Sequence, residues 1–269
     1  MIENPRSPRV RRIAKLAKKS ERQETGAFLL EGPQSLREAL TYRPELLLEV
    51  YGTPTAMERH RDLAQLVEQH GVPFEYITEE VLDQMADTVT PQGVIAVCRM
   101  FPVSAKELFA GEPKLIVVLE EVRDPGNAGT IIRAADAAGA DGVILTGRSI
   151  DPYNPKVVRS TTGSLFHLPV AIAPEVAEIA GLAAGARMQL LAADIAGEDL
   201  AEARADGSLA RPTVWLFGNE ARGLEDEVRA LADRSLRVPI YGSAESMNLA
   251  TAASVCLYES AFSLRGAAS

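Results

Sequence analysis

Six short and almost wholly apolar segments recur in the second half of the chain, and they restrict its fold more than any other feature. Stretches with helical patterns separate them. Apolar runs that alternate with helices are typical of a mostly parallel sheet covered by helices on both faces. In such sheets, ligands bind beyond the carboxyl ends of the strands. The predicted strands are LIVVLE (115–120), GVILTG (142–147), HLPVAI (167–172), QLLAAD (189–194), TVWLF (213–217) and SLRVPI (235–240).

Four further apolar segments in the first half alternate with helical patterns and predict a smaller α/β domain. They lie at residues 28–30, 46–50, 74–77 and 93–98. Prolines and a glycine interrupt the pattern over residues 101–113, and we place the domain boundary there. The predicted organisation is an arm at 1–25, a first domain at 26–105, a linker at 106–113 and a second domain at 114–269.

The charge of the chain is unevenly distributed. The whole sequence has a net charge of −9, whereas residues 1–25 contain eight basic and three acidic side chains. A basic arm on an acidic body attracts nucleic acid locally while the rest of the chain stays soluble. A solvated, frayed terminus would have the same composition, so both interpretations stay open here.

The composition argues against membrane, secreted and metal-dependent proteins. With 46% hydrophobic and 24% charged residues the chain is typical of soluble globular proteins. No apolar run approaches the about 20 residues that span a bilayer, and the N-terminus lacks the apolar core of a signal peptide. We therefore expect a cytoplasmic protein. Cys98 and Cys256 lie in apolar segments and are predicted to be buried free thiols. Neither they nor the three histidines have a metal-ligand spacing.

Polar residues follow the first strand of the second half. The D-P-G sequence at 124–126 predicts a turn, and Asn127 is predicted to cap a helix over 128–138 that ends at Gly139. A turn and a cap account for Asn127 but leave Arg133 unexplained, since its neighbours are apolar. The three glycines of a dinucleotide-binding loop are incomplete here, and a phosphate-loop lysine is missing.

A second polar segment follows the strand at 213–217. Gly218 and Gly223 bracket Asn219, Glu220 and Arg222. Glycine permits positive φ and a close approach of the backbone to a ligand, while the carboxylate supplies a hydrogen-bond acceptor. A tight loop before a helix at 224–233 is the alternative, purely structural interpretation.

A third segment runs from the V-P-I sequence at 238–240 through a Gly-Ser-Ala loop into a helix rich in small residues. Ala250, Ala253 and Ser254 would allow another backbone or helix to approach closely. Ser246 is predicted to be able to cap this helix.

The order and spacing of these three segments are specific. The succession N-x-G-x-x-x-R, G-N-E-x-x-G-L and V-P-I with S-x-N-L-A resembles the SpoU or TrmH family of RNA 2′-O-ribose methyltransferases, in the SPOUT superfamily. The similarity extends through PKVVRSTTGSLFHLPV at 155–170. The phrases FLLEGPQSLREAL (28–40) and TPQGVIAV (90–97) resemble the substrate-binding domain of that family's ribosomal RNA branch.

The resemblance implies a fold, an activity and a cofactor. It implies a C-terminal α/β domain with a deep trefoil knot, an N-terminal substrate-binding domain like ribosomal protein L30e, a homodimer, and methyl transfer from S-adenosylmethionine. The implied catalytic residues are Asn127, Arg133, Glu220, Ser246 and Asn248. The implied cofactor contacts are Leu216, Gly218, Val238, Ile240 and Met247, largely through backbone groups. For RNA binding we expect Arg9, Arg11, Arg12, Lys15 and Arg159, and we expect no metal.

The family analogue of Arg133 is usually given the task of activating the ribose hydroxyl. A guanidinium stays protonated in proteins, because its pKa lies above about 12. An alternative is that Arg133 clamps the target phosphate and polarises the hydroxyl, while a phosphate oxygen or water takes the proton. Both roles remain open at the level of the sequence.

Other functions are also compatible with parts of the pattern. We expect 23S ribosomal RNA as the substrate, with transfer RNA as the alternative. A non-catalytic RNA-binding factor in ribosome assembly would have damaged motifs, whereas the catalytic residues implied by the family are all present. A nucleotide-dependent oxidoreductase would need the glycine fingerprint that is missing after the first strand. The methylated nucleotide, and the choice between a housekeeping and an antibiotic-resistance role, are not encoded in these motifs.

Overall fold

The computed structural model describes residues 1–173 and 175–266 and divides into two compact units. The first unit comprises Met1–Phe101 together with Asp151–His167, and the second comprises Pro102–Ile150 with Leu168–Ser269. Residues 151–167 thus group with the first unit, although they follow two strands of the second. Domain boundaries predicted from the sequence assume continuous segments, so they do not reveal that residues 151–167 belong to the first unit.

A four-stranded sheet in the order β1-β4-β2-β3 forms the centre of the first unit. β4 runs antiparallel to β1 and to β2, whereas β2 and β3 are parallel. Each strand coincides with one of the four apolar segments of the first half. The strands are β1 (Ala27–Glu31), β2 (Leu47–Gly52), β3 (Phe74–Tyr76) and β4 (Val94–Arg99).

Helices surround this sheet, and the N-terminal arm is among them. Val10 and Ile13 are buried in the core, so the arm is a packed part of the unit rather than a frayed terminus. Two helices lie between β2 and β3 rather than one continuous helix, because the chain leaves helical geometry at His60. The helices are α1 (Pro8–Lys15), α2 (Lys19–Thr25), α3 (Pro33–Tyr42), α4 (Pro54–Arg59), α5 (Arg61–Gln69), α6 (Glu79–Met85) and α9 (Pro155–Thr161).

The second unit is built on a six-stranded, entirely parallel sheet in the order β10-β8-β9-β5-β6-β7. The predicted mostly parallel α/β architecture is therefore confirmed. The strand β10 stops before the V-P-I sequence that we had included in it. The strands are β5 (Leu115–Glu120), β6 (Gly142–Thr146), β7 (Val170–Ile172), β8 (Gln189–Asp199), β9 (Thr213–Phe217) and β10 (Arg234–Arg237).

Helices pack against the second sheet. The segment predicted as a linker contains α7, whose Leu108 and Phe109 are buried in the core. The helix expected at 224–233 is only four residues long. The helices are α7 (Ala105–Ala110), α8 (Pro125–Ala138), α10 (Val176–Gly185), α11 (Leu200–Ala205), α12 (Asp226–Arg229) and α13 (Leu249–Gly266).

The C-terminal helix α13 is tied to the centre of this sheet. Trp215 on β9 is fully buried and donates from its indole nitrogen to Ser260 Oγ on α13 at 2.8 Å. This bond satisfies two buried polar groups at once. It fixes α13 over β9, beside α8, so that the first turns of both helices lie near the carboxyl ends of β5 and β9. In the described part of the chain, no helix is both long and apolar enough to cross a bilayer.

Candidate active site

The helix α8 begins three residues earlier than the sequence suggests. Pro125 occupies its first position, where a missing N–H costs nothing, and Asp124 is its N-cap, accepting from the Asn127 N–H at 2.7 Å. The prediction that Asn127 caps this helix is therefore wrong. Because the cap is supplied by Asp124, the carboxamide of Asn127 is available for other contacts.

A tight loop follows β9 and holds Asn219. The main-chain groups of Asn219 and Gly223 exchange two hydrogen bonds, of 3.0 and 2.8 Å. Gly223 has a φ of +69°, and a Cβ on Gly218 would lie 2.5 Å from the carbonyl carbon of Gly223. Glycine is required at both positions, for conformational freedom at one and for space at the other. Asn219 also donates from Nδ2 to the carbonyl oxygen of Glu121 at 2.8 Å, which joins this loop to the end of β5.

The loop directs the carboxylate of Glu220 at the start of α8. Glu220 accepts from the main-chain N–H groups of Arg123, at 3.3 Å, and Asp124, at 3.0 Å. It also accepts from Asn127 Nδ2 at 3.4 Å. Carboxylates favour this position, since N–H groups at a helix start are unsatisfied and the helix dipole is positive there. Glu220 is thereby held facing the residues after β5.

Asn248 completes the arrangement from the third segment. Its Nδ2 donates to Asn127 Oδ1 at 3.0 Å. Its Oδ1 accepts from the N–H groups of Ala250, at 2.9 Å, and Thr251, at 3.3 Å, so it caps α13. The prediction that Ser246 could cap this helix is wrong, because α13 starts at Leu249 and its cap is the nearer Asn248. The structure thus brings Asn127, Glu220 and Asn248 into one hydrogen-bonded network.

Two other sequence-predicted residues lie beside this network rather than in it. Arg133 is exposed on α8, six residues and about 9 Å along the helix from Asn127. Ser246 is exposed, and its side chain makes no hydrogen bond with the described residues. Both are accessible to a bound substrate. The network of neutral amides and one fixed carboxylate can orient a hydroxyl group by hydrogen bonding.

Three arginines converge on Glu121, beside the network, and the sequence analysis missed this cluster. Glu121 accepts from Arg123 Nη2 at 2.7 Å, Arg148 Nε at 3.0 Å and Arg222 Nη2 at 2.8 Å. The hydrogen bonds from Arg148, the largest cause, and from Arg123 lower the pKa of Glu121 to about 2. Glu121 has a φ of +53°, an uncommon conformation for a residue other than glycine. The arginines come from separate loops, so no local motif could have indicated the cluster.

The residues implied for the cofactor divide into a buried and an exposed group. Leu216 and Gly218 are buried at the end of β9, and Val238 is half-buried. Ile240 and Met247 are 37% and 36% exposed. They flank a segment, residues 240–247, whose main-chain groups belong to neither helix nor strand. Exposed apolar side chains beside unengaged main-chain groups fit S-adenosylmethionine, which has an apolar purine face and a polar rim.

The residues expected to bind RNA all lie in the first unit. Arg9 donates to Tyr51 Oη at 2.8 Å and pairs with Glu75 at 2.6 Å. Arg12 pairs with Glu49 at 3.1 Å and Lys15 with Glu21 at 3.7 Å, while Arg11 is exposed. Arg159 pairs with two carboxylates and lines a cavity that is described below. The ion pairs of Arg9, Arg12 and Lys15 lie at exposed positions and are weak, so they do not prevent a phosphate from competing.

Among the described residues, no group of three or more His, Cys, Asp or Glu could hold a metal ion. Cys98 and Cys256 are buried free thiols, as predicted. Burial raises the pKa of both, that of Cys256 to about 12, so neither is a nucleophile at neutral pH.

Two family descriptions match the chain. Residues 114–258 match the SpoU rRNA Methylase family, and residues 7–96 match the MRM3-like substrate binding domain. The first match contains Asn127, Glu220 and Asn248, the three residues of the hydrogen-bonded network. Together the two matches account for most of the chain.

Relatives of known activity resemble the chain over nearly its full length. It is 34% identical to the 23S rRNA (guanosine(2553)-2'-O)-methyltransferase RlmP of Bacillus subtilis, covering 96% of this chain and 97% of the relative. It is also 34% identical to the 23S rRNA (uridine(2479)-2'-O)-methyltransferase of Streptomyces viridochromogenes, covering 90% and 84% of the two chains. An AdoMet-bound rRNA methyltransferase from Sinorhizobium meliloti superimposes with a TM-score of 0.81 at 31% identity, covering 96% of each chain.

Proposed function

The chain belongs to the SpoU rRNA methylase family, and on that premise we propose that it transfers a methyl group from S-adenosylmethionine to a ribose 2′-hydroxyl of 23S ribosomal RNA. The observation that carries this proposal is the network of Asn127, Glu220 and Asn248. It lies where parallel α/β sheets bind their ligands, at the carboxyl ends of β5 and β9. The segment 240–247, whose main chain belongs to neither helix nor strand, directly precedes Asn248.

The main-chain groups of Gly218, Val238 and Ile240, with the side chain of Met247, hold S-adenosylmethionine in this proposal. Once bound, the cofactor supplies an electrophilic methyl group on a positively charged sulfur. The enzyme must align the ribose oxygen with that methyl group, because displacement requires an in-line approach. The fixed network supplies this alignment. Leu216 contributes through its main chain, since its side chain is buried in the core.

The ribose hydroxyl must lose its proton as the new bond forms. Arg133 is a clamp for the adjacent phosphate in this account, and its guanidinium polarises the hydroxyl by hydrogen bonding. A phosphate oxygen or a water molecule takes the proton, because a guanidinium stays protonated at neutral pH and has no free lone pair to accept it. Ser246, exposed two residues before Asn248, hydrogen-bonds the same substrate. Asn127, Glu220 and Asn248 orient the sugar.

Sequence similarity to the relatives does not identify the nucleotide that this chain methylates. The two relatives at 34% identity act on a guanosine and on a uridine. Both names give 23S rRNA, which supports a ribosomal substrate and a cytoplasmic location for this chain. The basic residues of the first unit bind the RNA phosphates in this account, and they are Arg9, Arg11, Arg12 and Lys15.

We further propose the finer features of the family fold. These are a trefoil knot in residues 114–269 and an L30e-like substrate-binding domain at 26–105, preceded by the arm 1–25 and followed by the linker 106–113. The chain leaves β10 at one edge of the sheet and returns past β8 and β9 to place Asn248 against Asn127, which supports a knot. If a single molecule is stretched by its two ends, the extension of a knotted chain should stay below the full contour length of about 3.3–3.6 Å per residue. An unknotted chain would reach it.

A homodimer is the proposed assembly. Phe262 on α13 is 60% exposed, and its ring lies 5.5 Å from that of Tyr258. Tyr241, in the proposed cofactor segment, is 92% exposed. Exposed aromatic residues on a helix face mark interaction surfaces. In the proposed dimer, a second copy of the chain covers the aromatic surface of α13. Sedimentation should give a dimer for the natural chain and a monomer for Phe262→Glu.

Labelled S-adenosylmethionine, incubated with in vitro transcribed 23S ribosomal RNA and in parallel with transfer RNA, tests the activity directly. Methylation of a 2′-hydroxyl protects the adjacent phosphodiester from alkali, because the attacking oxygen is blocked. We expect label in one alkali-resistant dinucleotide. Label on a base would contradict the reaction, and label on transfer RNA alone would contradict the substrate. The absence of any transfer would leave the alternative of a non-catalytic assembly factor.

A further inference from the structure

The first unit contains a cavity of about 300 Å³, and none of the residues that line it has been given a catalytic role. It lies at the end of β1 and the start of α3, with the loop 88–92 on one side and Thr162 after α9 on the other. Ligand pockets begin at about this volume. This volume is sufficient for a single ring system.

The charge of the cavity argues against a phosphate ligand. Its guanidinium, Arg159, binds Glu31 at 2.6 Å through Nη1 and Asp87 at 3.0 Å through Nη2. Glu31 is buried and also accepts from the Thr88 N–H at 3.2 Å. One cation is therefore shared between two anions, so the net charge of this group is negative. Arg159 positions the wall of the cavity and is not available as a phosphate contact.

Neutral polar groups remain for a ligand. Among the described residues, the side chains of Thr90 and Gln92 make no hydrogen bond with the protein, although both line the cavity. A glutamine amide offers a donor and an acceptor side by side, which matches the edge of a nucleobase. Val89, between Thr88 and Thr90 in the chain, is an apolar side chain that is 96% exposed.

The backbone around the cavity is held in uncommon conformations. Thr162 has a φ of +52°, which is an outlier for a β-branched residue. Gly32 has a φ of +94°, and a Cβ there would lie 3.1 Å from Gln92 Oε1. The strained conformation of Thr162 persists where the surrounding structure requires a particular shape, whereas Gly32 adopts a positive φ without strain. Here both residues line the same cavity.

We propose that this cavity receives one unstacked nucleobase of the RNA substrate, whose edge is read by Gln92 and Thr90. Unpaired bases that are splayed out of loops are the usual target of sequence-specific RNA recognition. The inference rests on the proposed function for the nature of the ligand, but it concerns a separate site. It assigns base recognition to residues 88–92 and leaves phosphate binding to the basic arm.

The test compares Gln92→Ala and Thr90→Ala with Gln69→Ala, an exposed glutamine at the end of α5. Methylation of 23S ribosomal RNA is measured against RNA and salt concentration. Loss of a base contact should raise KM for RNA roughly tenfold at constant kcat. The slope of log kcat/KM against log salt should not change, because no phosphate contact is removed. Gln69→Ala should match the natural chain.

Unchanged KM in both cavity variants would overturn the proposal. A salt slope reduced by about 0.7–0.9 would also overturn it, since that is the signature of one lost phosphate contact. A second measurement does not require methylation. Photoreactive p-benzoylphenylalanine at Val89 should crosslink to an unpaired nucleotide of 23S ribosomal RNA, and the same group at Leu231, an exposed position in the second unit, should not. Crosslinking without methyl transfer would refute the proposed function alone, whereas methyl transfer with unaltered cavity variants would refute the cavity alone.

Discussion

Asn127 Oδ1 accepts a hydrogen bond from Asn248 Nδ2 at 3.0 Å, across 121 positions of sequence. The bond connects the first turn of α8 to the N-cap of α13. Each asparagine has a second task, since Asn127 donates to Glu220 and Asn248 caps its helix. The geometry of the proposed active site therefore depends on how the end of the chain returns to the first strand of the sheet.

Asn248→Asp separates the two tasks of this residue. An aspartate still accepts the N–H groups of Ala250 and Thr251, so the free energy of unfolding should change by less than about 0.5 kcal/mol. It cannot donate to Asn127, and kcat/KM should fall roughly 10- to 100-fold. Asn248→Ala should lose activity and about 1 kcal/mol of stability. Natural activity in Asn248→Asp would show that the bond to Asn127 has no part in methyl transfer.

Arg133→Lys tests the fork-shaped contact. A lysine keeps the charge but not the two parallel donors of a guanidinium, so kcat should fall roughly 100-fold. Arg133 is exposed, so thermal unfolding should be unaffected. Arg211→Lys, an exposed position elsewhere in the same unit, is the control. Near-natural turnover of Arg133→Lys would refute the phosphate-clamp account.

Gly218→Ala should abolish the binding of S-adenosylhomocysteine in calorimetry. The added Cβ would lie 2.5 Å from the carbonyl carbon of Gly223 and 2.7 Å from the Leu224 nitrogen, and backbone cannot move as a flexible side chain would. Gly181→Ala, in the interior of α10 with open space around it, should bind normally. It should be more stable by about 0.5–1 kcal/mol, as is usual for glycine replaced in a helix. Normal binding by Gly218→Ala would remove this loop from the cofactor site.

Glu121→Gln should change the dependence of stability on pH. The pKa of Glu121 is lowered from 4.5 to about 2, with the hydrogen bond from Arg148 as the first cause. A carboxylate whose pKa is lowered by folding stabilises the fold at pH values above its ordinary pKa of 4.5. This contribution is lost as the pH falls from about 4.5 to about 2. Urea unfolding should show Glu121→Gln less stable than the natural chain at pH 6 and nearly equal to it near pH 2. A constant difference over this range would mean that Glu121 does not stabilise the fold through its charge.

The sequence was sufficient to predict the strands and the parallel architecture of the second unit. Near-continuous apolar runs such as LIVVLE have few alternatives to a buried parallel strand. The grouping of residues 151–167 with the first unit could not be predicted in this way. It depends on contacts between residues far apart in the chain, such as the ion pair between Arg22 and Asp151 at 2.6 Å. Local sequence patterns do not predict such contacts.

The candidate site was predictable in its segments but not in its contacts. The motifs contained Asn127, Glu220 and Asn248, yet their local chemistry suggested the wrong caps for both helices. Asp124 was available three residues before Asn127, and the proline after it was the signal that the helix starts earlier. The arginine cluster at Glu121 had no such signal, because its members come from three loops.

Hydrogen–deuterium exchange with and without S-adenosylhomocysteine tests the central claim, that residues around 127, 216–223 and 238–249 form one cofactor and substrate site. Bound ligand should slow exchange at 216–223 and 238–249, where the main chain is proposed to contact it, and leave the first sheet unchanged. Slower exchange in the first unit alone would contradict the account. So would unchanged exchange in both segments under conditions where calorimetry shows that the ligand binds.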